Sequence, residues 1–158
     1  MNKNILATIA IFAVITGIFL WYFSDTQVIK RKTLSLVESF NVKEGDGNAT
    51  RLLKNSDLTS LLSKDFTSSV DLQSYTEDLD YESVTTGHKY LMHKVVYSKL
   101  SINDLAITSI SDTSATIETT FTSSLEVNNS AYNETGKATF IWKKADSSEW
   151  ELASVVLQ

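Results

Sequence analysis

Five residues have side chains that could move a proton at an active site: Asp71, Tyr75, His88, Tyr90 and His93. A general acid or base must be held in a pocket at a tuned pKa. None of the five lies in a recognisable catalytic motif. His88 and His93 are five residues apart, which turns them away from one another on a helix, so the i, i+4 pair of a helical zinc site is absent. Each histidine reads as a surface or half-buried residue. There is no Gly-rich phosphate loop, no nucleophile elbow and no Ser-His-Asp arrangement. The chain has no cysteine, which removes thiolate nucleophiles, thiolate metal ligands and disulfides. Two acidic stretches invite comparison with a calcium loop. Counted from Asp46, the required glycine is replaced by Arg51 and the bidentate glutamate by Asp57; counted from Asp78, these positions hold Ser83 and Lys89. The first stretch reads as a turn and the second as the capped start of a helix. No metal and no cofactor is therefore expected. Asn48-Ala49-Thr50, Asn128-Asn129-Ser130 and Asn133-Glu134-Thr135 match glycosylation sequons, which matter only in a host that glycosylates.

The 158 residues carry 14 Lys and Arg against 19 Asp and Glu, a net charge of −5. No long basic run exists, which argues against nucleic acid as a partner. Residues 5–23 contain no charge and are dominated by Ile, Ala, Phe, Val and Leu, close to the ~20 residues that cross about 30 Å of hydrocarbon. Trp21, Tyr22 and Phe23 close the run with rings that suit a membrane interface. A cleavable signal peptide would need small residues in Ala-x-Ala spacing, and the sequence after Leu20 is Trp-Tyr-Phe-Ser-Asp. The expectation is a single-pass anchor over residues 1–23, with the lipid bilayer as partner through residues 5–23, followed by one domain over 24–158. Lys3 lies on one side and Lys30, Arg31 and Lys32 on the other, so charge alone does not orient the span. The short head before the apolar run is the layout of a signal anchor, which places the domain outside the cytoplasm.

Ser24 and Gln27 have capping-box spacing at the start of a helix whose inward stripe is Ile29, Thr33, Leu36, Val37 and Phe40. Glycines within residues 44–48 end it. A second helix carries Leu52, Leu53, Leu58, Leu61 and Leu62 inward, with Ser56 or Asp57 able to cap a short break. Residues 66–72 alternate as a short strand. A third helix is expected from about Asp80 to Ser98, with Glu77, Asp78, Asp80 and Glu82 at its positive end. Four antiparallel strands then follow, over residues 100–110, 115–127, 137–144 and 150–157, with Thr119 and Ser123 interrupting an otherwise apolar inward row.

This order, with the close Phe140-Ile141-Trp142-Lys143-Lys144 … Glu149-Trp150-Glu151-Leu152, resembles the nuclear transport factor 2-like superfamily, also called SnoaL-like or cystatin-like. The resemblance covers residues 24–158. It implies an α+β fold in which three helices, following the transmembrane helix, pack on a curved, mainly antiparallel sheet around a pocket. Members include isomerases and dehydratases as well as binding and scaffold domains. The expectation here is a non-catalytic anchored domain that binds a protein partner or a small apolar ligand, its candidate surface being Thr116, Glu118, Thr120 and Thr122 on the polar sheet face. The alternatives are an isomerase- or lyase-like enzyme acting in the cone pocket and an assembly component of the cell envelope.

Overall fold

The computed structural model describes residues 3–72, 75–127 and 130–158; the side chains of residues 3–10 and of Tyr75 lie outside the description, as does the sequon centred on Asn129. Helix α1 (Lys3–Tyr22) is followed by α2 (Asp25–Ser39), whose Ile29, Thr33, Leu36 and Val37 are buried at helical spacing. Thr33 joins this stripe because its hydroxyl donates to the Ile29 carbonyl, 2.9 Å away. The expected capping box does not form. The Ser24 hydroxyl turns back to the Trp21 carbonyl at 2.7 Å, helping to close α1 rather than to open α2. Among the residues with described side chains, no single helix is long and apolar enough to cross a membrane; residues 11–22 and α2 pass only as a pair bent by 52°. The buried stripe of α2 belongs to the domain core, so α2 is not half of a broken span.

Helix α3 (Asn48–Leu61) is unbroken through Ser56 and Asp57, whose carbonyls accept from the hydroxyls of Thr59 and Ser60. Only its second half faces the core. Leu58 and Leu61 are buried, while Leu52 and Leu53, expected inward, are 54% and 64% exposed. Strand β1 (Leu62–Leu72) begins earlier than the alternation suggested, and it turns into β2 (Tyr75–Asp80). The acidic run expected to open a helix is thus an edge strand. Asp and Glu disfavour strands, yet an outermost strand tolerates and even benefits from charge. Asp80 and Glu82 keep their expected place: Asp80 accepts from the Ser83 N–H at 2.8 Å to cap α4 (Tyr81–Lys94), and Glu82 lies in its first turn. Helix α4 stops four positions short of Ser98, because the Val95-Val96-Tyr97 run favours the strand β3 (Val95–Ile110).

Strands β3, β4 (Ser114–Val127), β5 (Ser130–Lys144) and β6 (Trp150–Leu157) form the expected antiparallel series. The sheet order is β2-β1-β6-β5-β4-β3, and β1 runs parallel to β6, so the sheet is mixed. Its inner face and the helices share one core that includes Ile29, Leu58, Phe66, Ile117, Phe121, Phe140, Trp142, Trp150 and Leu152. Burying each large side chain contributes about 1.5–3 kcal/mol. The fully buried indole N–H of Trp142 has no acceptor among the described residues. Gly136 is required by close approach, since a Cβ there would lie 2.3 Å from the carbonyl oxygen of Gln158, which accepts from Lys137 N–H.

Candidate functional site

His88 contradicts its surface reading: it is 3% exposed. It sits on the inner side of α4, with Phe40 meeting its ring edge-on at a centroid distance of 4.9 Å. Nε2 lies 3.0 Å from the Ser39 carbonyl, which can only accept, so that nitrogen carries a proton. Nδ1 lies 3.0 Å from Oδ1 of Asn55. A neutral ring needs a donor there, so the Asn55 amide presents its NH2 to a neutral His88 and its oxygen to a protonated one. Burial pushes the His88 pKa below its ordinary value, and the Ser39 carbonyl opposes that shift. Both ring nitrogens are therefore engaged in joining α4 to α2 and α3. Neither is directed at a substrate.

The remaining candidates do not converge on it. Asp71 is exposed and accepts from Thr76 at 3.2 Å, across the β1–β2 hairpin. Tyr90 is 66% exposed and His93 is exposed. The Tyr75 side chain lies outside the described residues. Asp46, the first carboxylate of the rejected calcium loop, accepts from the Lys43 N–H at 3.1 Å and from Lys54 at 2.6 Å around a turn in which Gly45 adopts φ +91°. The Lys54 hydrogen bond is the largest influence holding its carboxyl below the ordinary range. Among the described residues no group of three His, Cys, Asp or Glu side chains is placed to hold a metal.

Glu118, Thr120 and Thr122 are exposed on the outer face of β4, with Thr116 half-buried beside them. Across the sheet, Glu118 is opposite Thr139 and Ala106, Thr120 opposite Lys137 and Asn103, and Thr122 opposite Thr135 and Ser101. The face is a plane of small hydroxyl-bearing side chains with few charges. An open groove of about 470 Å³, lined by hydroxyls of β1 and by Asp78, Asp80, Ser83 and Ser154, lies near the edge formed by β2. Sequence reasoning missed it because β2 was read as a helix start.

The first turn of α2 is fastened to the sheet where β5 ends and β6 begins. The Asp25 carboxylate accepts from Trp150 Nε1 at 2.8 Å and from Lys144 at 3.0 Å, and these hydrogen bonds hold its pKa below the ordinary value. Lys32 donates to the Trp150 carbonyl at 2.7 Å, while Arg31 donates to the Tyr22 carbonyl at 2.9 Å and lies 4.0 Å from the centre of the Tyr22 ring. Of the basic trio, Arg31 thus ties α2 to the end of α1 and Lys32 ties α2 to β6.

No family model matches the chain, and no curated protein matches it. Solved structures do. A nuclear transport factor 2-like protein from Cytophaga hutchinsonii is 15% identical with a TM-score of 0.67, covering 86% of this chain and 98% of that one. A provisionally named aromatic ring hydroxylase from Novosphingobium aromaticivorans is 8% identical with a TM-score of 0.68, covering 85% and 87%. An uncharacterised protein with a cystatin-like fold from Caulobacter vibrioides is 9% identical with a TM-score of 0.64, covering 84% and 87%. At these identities the likeness establishes the fold, which is nuclear transport factor 2-like, and leaves chemistry open.

Proposed function

We propose that the chain is a membrane-anchored binding or scaffold domain that works through its surface. The observation that carries this reading is the exposure of α1: Ile11, Phe12, Val14, Ile15, Ile18, Phe19, Leu20 and Trp21 are 47–72% exposed around the whole helix. An all-round apolar helix is stable when a core or a bilayer covers it, and the domain covers none of these faces. At 20 residues and about 1.5 Å per residue, α1 is about 30 Å long, the thickness of the hydrocarbon layer. Tyr22 and Trp21 then lie at the interface, with Arg31 reaching back to Tyr22.

The non-catalytic part of the reading is supported by the interior. Where an enzyme of this fold would hold a substrate, Trp142, Trp150, Phe66 and Phe140 pack together, and the buried His88 has both nitrogens engaged. Alkaline carbonate extraction tests the anchor. The full chain is expected to stay in the membrane pellet and a chain starting at Ser24 to be released; a full chain recovered in the supernatant overturns the proposal.

A further inference from the structure

The binding reading leaves open where a partner docks, and the exposed apolar side chains outside α1 are unevenly placed. The junction with α1 is beside Lys144 and Thr113, at the end of the sheet where Ser114 pairs with Lys143. The opposite end is where Val127 pairs with Val95 and Leu125 with Tyr132. Fourteen residues of β4 at roughly 3.3 Å each separate these ends by about 40 Å. At the far end, α4 presents Lys89 and His93, and Tyr90 and Lys94, as two exposed i, i+4 pairs. Leu52 of α3 borders the same shallow pocket as Lys89 and His93. Arg51 holds α3 against this end by donating to the carbonyls of Met92 and Val95 at 2.7 and 2.8 Å. Tyr97 follows at the start of β3, 39% exposed.

Charge separates this pole from the rest of the molecule. No acidic residue occurs between residues 83 and 103, although the chain carries net −5. The acidic groups at this end are Glu126, opposite Tyr97 in the β3–β4 register, exposed Glu44 in the α2–α3 turn, and Asp46 and Glu38, which are paired with Lys54 and Lys43 at 2.6 and 3.9 Å. Exposed tyrosines and leucine among lysines form a surface with apolar contact area and positive potential, features that favour a protein partner of opposite charge. Two lysines are too few to track a phosphate backbone. The bilayer that holds α1 meets the other end of the domain. We infer that the pole formed by Leu52, Lys89, Tyr90, His93, Lys94 and Tyr97 docks an acidic, apolar-bearing segment of another protein.

This inference rests on the anchored binding-domain reading, and the test separates the two. Benzoylphenylalanine is placed at Tyr90, or in a parallel chain at Thr120 on the sheet face, in the full-length protein in its own membrane. Irradiation at position 90 is expected to crosslink a different protein through a peptide of net negative charge. Lys89→Glu with Lys94→Glu should lower that yield about tenfold or more, while Lys89→Arg with Lys94→Arg keeps it; unchanged thermal unfolding of each variant certifies the fold. A yield indifferent to charge reversal, or crosslinks to lipid, to a second copy of this chain or to nothing, overturns the inference. Crosslinks from position 120 alone would leave the binding-domain reading standing without this pole. Silence at both positions would contradict both.

Discussion

At the scale of single residues, His88 shows how a group with catalytic potential becomes structural. Its ring closes the seam between α2, α3 and α4 through Ser39, Asn55 and Phe40. His88→Ala leaves two polar groups without partners and opens a hole beside Phe40, with an expected loss of about 2–4 kcal/mol. Because burial lowers its folded pKa, the unfolded chain binds more protons as pH falls below about 6.5. The stability His88 contributes is complete above that pH and is lost as pH falls toward the folded value. Tryptophan-monitored urea unfolding of the detergent-solubilised chain from pH 8 to pH 5 should show this slope, and His88→Ala should flatten it. An unchanged slope would show that His88 does not carry it. The sequence made His88 visible as a titratable residue but not as a buried one, because its partners are a backbone carbonyl and an amide 49 and 33 positions away.

Among the elements, legibility followed periodicity. Strands β4 and β6 and helix α2 carry clean apolar alternation or a helical stripe and occur where that pattern places them, whereas β5 begins at Ser130, seven residues before its alternation does. Strand β2 has no such pattern; its five-residue stretch Thr76-Glu77-Asp78-Leu79-Asp80 is strand because β1 offers a pairing edge, from Thr67 opposite Asp80 to Leu72 opposite Tyr75. Leu52 and Leu53 fit the stripe of α3 yet lie beyond the reach of the core, since helix spacing reports a face and not how much of its length is covered. The groove beside β2 was illegible for the same reason as the strand. The C-terminal pairing makes a sharper test of packing between elements. Gly136→Ala forces its Cβ into the Gln158 carbonyl and is expected to cost about 1–3 kcal/mol, or to detach Gln158 from Lys137. Hydrogen exchange at the Lys137 and Gln158 amides distinguishes the two, and wild-type protection at both with no loss of stability would contradict the register at that end.

For the whole molecule, the α+β fold could be anticipated from the order of helices and strands and from the Trp-containing final hairpin, whereas the parallel pairing of β1 with β6 and the surfaces available to partners could not. Burial patterns along a sequence describe one side of each element at a time; the gathering of Lys89, His93 and Leu52 depends on Arg51 bringing α3 to the end of α4. The same asymmetry separates an apolar helix at one end from a basic, aromatic pole at the other. That arrangement suits a domain held at a bilayer and read from its distal side. Its premise is an interior filled by its own side chains, and a crystal structure of the full chain under xenon pressure tests that premise most directly. Xenon is predicted to find no site among Ile29, Leu58, Phe66, Trp142 and Trp150; an occupied apolar cavity there would contradict the account and return the fold's interior to the list of places where this protein could do its work.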